Sequence, residues 1–302
     1  MKSLLLASLL VLPLAAQADE RCEHSQPRNL QLDLAGVKTV VFDIGASQLD
    51  LRATANASGK VDGRACSSDA KLFERMTLTQ EKRGDQLTVR ALRNGDNNNG
   101  SSFNFDLFGV SFNRYAYMKL QANVPDHLAV QLKLGSGDAV VAGAQSLDAT
   151  IGSGDLTVSK IRGPFSGSTG SGDIDASDIG GLDLRAIGSG DVTVRQVRGT
   201  ARIGRFGSGD IEIRTTHGPV EIGAGGSGDV KLIGIGGGVR IDAIGSGDIE
   251  LADIGGDITI GSIGSGDVEV DGARGDLTVR TKGSGDIEHR GVTGRIDVPK
   301  RR

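Results

Sequence analysis

The sequence predicts an all-β fold: a single-stranded parallel β-helix, or solenoid, of about 19-residue right-handed coils, preceded by an irregular N-terminal β region. Three observations predict it. The tetrapeptide Gly-Ser-Gly-Asp occurs nine times, starting at Gly135, Gly152, Gly170, Gly188, Gly207, Gly226, Gly245, Gly264 and Gly283, with spacings of 17, 18, 18 and then 19 throughout. A second glycine marker follows eleven positions later, at Gly163, Gly181, Gly199, Gly218, Gly237, Gly256, Gly275 and Gly294, with Ser146 in its place in the first repeat. Between the markers, apolar and polar residues alternate with period two, as in Asp248-Ile249-Glu250-Leu251, which is the pattern of strands with one buried face. A helical reading fails because interior glycine costs about 1 kcal/mol per position.

The chain opens with Met1-Lys2-Ser3, a 13-residue apolar run from Leu4 to Ala16, and Ala16-Gln17-Ala18 before Asp19. One basic residue, a short apolar stretch and small residues two apart predict a signal peptide over residues 1–18. The run is shorter than the roughly 20 residues that span a bilayer, and no later segment qualifies. A periplasmic or secreted protein is therefore expected. Its two cysteines, Cys22 and Cys66, are expected to form one disulfide, as an even count in an exported chain favours.

Residues 19–126 are expected to hold an N-terminal β region and the first coils. Strand signals lie at Leu30 to Leu34, Thr39 to Ile44 and Leu49 to Ala53, and Gly45-Ala46-Ser47-Gln48-Leu49 resembles a decayed copy of the repeat corner. A short helix is predicted over Asp69 to Arg75. A hairpin follows, with strands Met76 to Gln80 and Gln86 to Leu92 around Lys82-Arg83-Gly84-Asp85. The polar stretch 94–102 can bury little and is expected to be mobile. Beyond it, Phe103, Phe105, Phe108, Phe112, Tyr115 and Tyr117 gather six of the chain's ten aromatic residues, and they are the candidate partner-binding residues.

Residues 127–302 form the repeat region. Inward pairs are expected at Leu156/Val158, Val192/Val194, Ile211/Ile213, Val230/Leu232 and Val268/Val270 on the first strand. Val220/Ile222, Val239/Ile241, Leu277/Val279 and Ile296/Val298 are their counterparts on the second. A third apolar row runs through Ile161, Ile179, Val197, Ile235, Ile254 and Val292. With only Phe165 and Phe206 as aromatics in the rod, an interior too thin for rings or a ligand is expected. Arg295, Pro299, Lys300, Arg301 and Arg302 guard the last edge.

The repeat aspartates Asp138, Asp155, Asp173, Asp191, Asp210, Asp229, Asp248, Asp267 and Asp286 are expected to be structural, each accepting hydrogen bonds from amides of the preceding corner. Calcium is the functional rival, but the calcium-binding roll has a nine-residue period that this repeat does not match. No cofactor is therefore expected. Glu250, Glu269 and Glu288 make a second acidic row, read as a solvated face. Repetition in equivalent environments gives no unequal carboxylate pair for acid-base catalysis, so no enzyme is expected. Arg83-Gly84-Asp85 and Arg274-Gly275-Asp276 spell an integrin-binding tripeptide, but both fall at turns. Without Lys2 the chain carries 33 basic and 38 acidic residues with no basic stripe, which argues against nucleic acid.

Asn123-Val124-Pro125-Asp126-His127-Leu128, leading through alternating residues into Leu134-Gly135-Ser136-Gly137-Asp138 and the coils, resembles the bacterial putative-adhesin families of β-strand repeats related to the head GIN domain. The resemblance covers about residues 30 to 302. It implies an envelope protein with a single-stranded parallel β-helix, acting as a structural or interaction module toward a protein or an envelope polysaccharide. The alternative is a carbohydrate-binding or carbohydrate-active β-helix, which would show an aromatic and acidic groove. An ice-binding array would need regular threonine ladders, and Thr157, Thr193, Thr259 and Thr278 are too irregular.

Overall fold

The structure, a computed structural model, describes residues 22–93 and 115–300. Its N-terminal part contains β1 (His24–Pro27), β2 (Leu30–Gln31), β3 (Thr39–Gly45), β4 (Gln48–Thr54), β5 (Lys60–Ser67), α1 (Ala70–Glu74), β6 (Met76–Arg83), β7 (Gln86–Arg93) and β8 (Ala116–Pro125). The helix starts where Asp69 caps it, its carboxylate accepting from the backbone N–H groups of Lys71 and Leu72 at 2.8 and 3.1 Å. β6 and β7 form the expected antiparallel hairpin, and Gly84 turns it with φ of 60°.

The coils then run as two parallel ladders. One begins at β7, parallel to β3, which in turn pairs with β9 (Ala129–Leu134), and passes through Ser146–Ile151 to the second-arm strands Ala201–Phe206, Val220–Gly225, Val239–Ile244, Ile258–Ile263 and Leu277–Lys282. The other begins at β8, parallel to β4, which in turn pairs with β10 (Ala139–Ala142), and reaches the first-arm strands Val192–Val197, Ile211–Thr216, Val230–Ile235, Ile249–Ile254, Val268–Ala273 and Ile287–Val292. Leu156–Thr169 and Ile174–Ile187 are long strands that contribute to both ladders. The corner Gly45 to Gln48 therefore belongs to the stack: the Gly135 amide donates to the Gly45 carbonyl at 2.7 Å. At the N-terminal end the parallel ladders stop, because β5 pairs antiparallel with β8 and β6 antiparallel with β7.

Parallel register puts like residues over like, so the core is a set of aliphatic columns. The expected inward pairs are buried, Leu156, Val158, Ile211, Ile213, Val239 and Ile241 among them, and so is the third row through Ile161, Ile179, Val197, Ile235 and Ile254. The last coil is the exception. Val292 and Val298 are only half-buried and Ile296 is 42% exposed, because among the described residues no further coil covers them.

Two details differ from the sequence reading. The interior does house rings: Phe165 is fully buried and Phe206 is 5% exposed. Phe206 fits because its column neighbour is Gly225, where any Cβ would collide with the Phe206 ring and with Ile244 Cδ1. Large and small residues thus share one column at constant total volume.

The second difference is a third bend in each coil. Residues with φ between 52° and 86° recur eight positions after each repeat start, at Gly143, Lys160, Asp178, Gln196, Thr215, Gly234, Asp253, Gly272 and Gly291. This left-handed residue turns the chain between the first-arm pair and the third apolar row, and five of the nine coils place a side chain there.

Candidate functional site

The corner is built by sterics and then by a carboxylate. The second glycine of each Gly-Ser-Gly-Asp is buried, and a Cβ on Gly154, Gly172, Gly190, Gly209, Gly228, Gly247, Gly266 or Gly285 would fall well inside 3.0 Å of the equivalent carbonyl oxygen one coil earlier. Close backbone approach, and not a positive φ, demands this glycine. The aspartate that follows closes the corner. Its Oδ1 accepts the backbone N–H of the equivalent aspartate in the next coil: Asp155 N to Asp138 Oδ1 at 3.2 Å, Asp191 to Asp173 at 2.8 Å, Asp229 to Asp210 at 2.8 Å and Asp286 to Asp267 at 2.7 Å, with the intervening pairs alike.

The donor is thus the following coil's aspartate amide, and not the amides of the preceding corner that the sequence leads one to expect. The carboxylates form a continuous ladder that stitches coil to coil through charge-assisted bonds. Asp276 and Asp257 repeat the device at the other corner, accepting from the amides of Arg295 and Asp276, both at 2.8 Å.

The outward acidic row is partly neutralised. Glu250, Glu269 and Glu288 stand in register. Lys231 Nζ lies 2.5 Å from Glu250, and Arg290 lies 2.8 Å from Asp271 and 3.8 Å from Glu269. Among the described residues no group of three or more histidine, cysteine, aspartate or glutamate side chains is placed to hold a metal ion.

The carboxyls whose acidity is displaced move downward. Hydrogen bonds from Arg90 and then Arg83 hold Glu81 below the ordinary carboxylate range, the Arg290 guanidinium does so for Asp271, and the Arg295 amide followed by its guanidinium does so for Asp276. A proton-donating catalytic carboxyl needs the opposite displacement. Both Arg-Gly-Asp tripeptides are engaged with neighbours: Arg83 with Glu81, Asp85 with Lys38, and Asp276 with Arg295.

At the N-terminal end, Cys22 and Cys66 are joined as a disulfide with Cα atoms 5.6 Å apart, fixing the start of the described chain to β5. β8 lies between β5 and β4 and carries Tyr115 at its entry and Tyr117 within it. The two rings are half-buried, with centroids 6.1 Å apart and planes inclined by 39°. Lys119 Nζ sits 5.7 Å from the Tyr117 ring centroid, and the Tyr115 hydroxyl accepts the Glu23 amide at 3.2 Å. Together with Ala46, Gln48, Ser136, Gly137 and Asp138 the tyrosines line a recess of about 360 Å³. Its floor is the junction of the decayed corner with the first true corner. Phe103, Phe105, Phe108 and Phe112, the stretch 94–102 and the signal segment 1–18 lie outside the described residues.

Sequence reasoning reached the tyrosines but not Gln48 and Asp138 as their neighbours. The available signal was the alignment of Gly45-Ala46-Ser47-Gln48 with Gly135-Ser136-Gly137-Asp138, which places Gln48 on the aspartate column. The left-handed bend was also legible, in the glycines recurring eight positions after the repeat start at Gly143, Gly234, Gly272 and Gly291.

A family model described as Toastrack DUF4097 matches residues 41–234. The chain belongs to this Toastrack family. Its coils also match, over residues 182–293, a model described as "Putative auto-transporter adhesin, head GIN domain". No curated protein matches this Toastrack chain. Among solved structures, it is similar to a putative lipid binding protein from Parabacteroides distasonis, at 17% identity over 89% of this chain and 97% of that one, with a TM-score of 0.45. It is also similar to a putative adhesin from Parabacteroides merdae, at 11% identity over 89% and 97% of the two chains, TM-score 0.37. A putative cell adhesion protein from Clostridium sporogenes has 12% identity over 88% and 99%, TM-score 0.26.

Proposed function

We propose that this Toastrack chain is a non-enzymatic, extracytoplasmic interaction module: a β-rod that holds a binding region at its N-terminal end. The observation that carries the reading is the contrast between the two parts of the molecule. Along the coils, side chains serve stacking: aliphatic columns inside, an aspartate ladder at one corner, and ion pairs between neighbouring coils such as Arg195–Asp175 and Arg202–Glu221 outside. The coils also carry grooves, of about 390 and 500 Å³, but tyrosine, phenylalanine and tryptophan are missing from their linings; the N-terminal recess has a tyrosine pair beside its polar groups, with a disulfide bracing the strand beside it.

Export follows from the predicted signal segment, and the disulfide suits an oxidising compartment. No described helix is long and apolar enough to cross a membrane. The matched head GIN description names an adhesin, which supports envelope attachment as the setting. Low-entropy aromatic side chains are what binding hot spots use, so Tyr115, Tyr117 and the preceding phenylalanines are assigned the contact.

The test is a pull-down from native envelope comparing wild type, a Phe105→Ser/Phe108→Ser variant and a coil-surface variant such as Glu250→Gln. The reading expects loss of captured material in the phenylalanine variant alone. Equal capture by all three, or loss only in the coil variant, contradicts it.

A further inference from the structure

We propose that the recess between the tyrosine pair and the first Gly-Ser-Gly-Asp corner is a binding subsite for one neutral pyranose unit of a glycan; this rests on the interaction-module reading above and names its ligand class. The recess is near the lower end of the roughly 300–1,000 Å³ typical of small-molecule sites. Its lining combines the two features that sugar recognition requires. The C–H face of a pyranose is apolar and packs on an aromatic ring, here Tyr115 or Tyr117. The hydroxyl rim needs convergent acceptors and donors, supplied by the Asp138 carboxylate, the Gln48 amide and the Ser136 hydroxyl.

Asp138 is held for this role. Its Oδ1 accepts the Asp155 amide at 3.2 Å, which fixes the carboxylate in the corner while a carboxylate offers about four acceptor positions in all. Among the described residues the phenylalanine rings are buried, as Phe42, Phe165 and Phe206 are, or lie against His24 and Arg28, as Phe73 does. Among those residues the Asp138 corner is therefore the one that shares a recess with a tyrosine pair. Charge selects the ligand further. An anionic group would meet the Asp138 carboxylate in the lining. A neutral polyhydroxyl group meets no such penalty.

Because both tyrosines line this recess and tryptophan is absent, intrinsic tyrosine emission of the full exported chain reports on this site. The probes are methyl β-glucopyranoside, N-acetylglucosamine and its trimer, with glucose 1-phosphate as the charged comparison. A saturable emission change with at least one neutral sugar in the millimolar range is expected, with glucose 1-phosphate weaker. Calorimetric titration should show about a tenfold loss of affinity in Asp138→Asn, which removes the charged acceptor while keeping an amide oxygen for the Asp155 amide. Gln48→Ala, an exposed change, should weaken binding several-fold, and Tyr117→Phe should retain it.

Absence of a saturable response to every neutral sugar, or unchanged affinity in both Asp138→Asn and Gln48→Ala, overturns the proposal. Tighter binding of glucose 1-phosphate overturns the neutral class. If sugars are silent but wild type still captures envelope material and the phenylalanine variant does not, the subsite falls and the module reading stands. If neither sugars nor envelope material bind, both fall.

Discussion

Replacing Gly209 by alanine tests the steric basis of the coil. The added Cβ would have to sit within van der Waals range of the Gly190 carbonyl oxygen, and relieving the overlap means parting the two coils by about 1 Å at this corner. The bonds that cross the gap there include Asp210 N to Asp191 Oδ1 at 2.8 Å, Gly207 N to Gly188 O at 3.0 Å and Ser208 N to Gly188 O at 3.2 Å. At about 1 kcal/mol net for each bond, their weakening together is worth about 2–3 kcal/mol. Ser208→Ala is the control, because Ser208 is exposed and alanine keeps its backbone bond. Guanidinium denaturation should show the alanine at 209 lowering stability by about 2–3 kcal/mol, and the control within about 0.5 kcal/mol of wild type. Hydrogen exchange should place the loss in the coils on either side of residue 209. A Gly209→Ala protein as stable as the control would refute close approach as the reason for this glycine.

Further predictions follow from other positions. Thr215→Gly should raise stability by about 1 kcal/mol in thermal or chemical unfolding, because φ of 60° costs a β-branched residue and not glycine. Phe206→Ala should cost about 3–5 kcal/mol, since Gly225 beside it cannot fill the cavity. Asp276 is held below the ordinary aspartate range by Arg295, so its contribution is present above the unfolded-state pKa and is lost as pH falls through the folded value. Protection of the Arg295 amide, taken relative to its intrinsic exchange rate at each pH, should therefore fall at acid pH below that range, and Asp276→Asn should abolish the dependence. Reducing Cys22–Cys66, which closes a span with sequence separation 44, should lower stability by about 2–4 kcal/mol.

Most of the fold is legible in the sequence because a solenoid repeats each physical requirement once per coil. Leu156, Val192 and Ile211 announce one inward column simply by recurring at the repeat period, and the buried glycines announce the corner in the same way. The N-terminal end has no such redundancy. β1, β5 and most of β8 give weak local signals: β5 carries Gly63 and charged Lys60, Asp62 and Arg64 within its alternation, and its antiparallel pairing with β8 is set by partners about fifty to sixty residues away in the chain. Phe165 and Phe206 were misread for a related reason. Whether a ring fits inside depends on the residue one coil above, and Gly225 looks like one more corner glycine until the columns are aligned. The aspartate ladder was half legible: the acceptor is evident from its position after the corner, but its donor lies in the next coil and emerges only from stacking.

The central claim is that recognition resides at the N-terminal recess and the coils serve as its support. Binding of the full chain to isolated envelope should be measured for wild type, Tyr115→Ser/Tyr117→Ser and a coil-surface variant carrying Glu250→Gln and Glu269→Gln, with thermal unfolding confirming that each is folded. The account predicts that the tyrosine variant loses binding by about tenfold or more while the coil variant matches wild type. Full binding by the folded tyrosine variant, with loss in the coil variant, would contradict it.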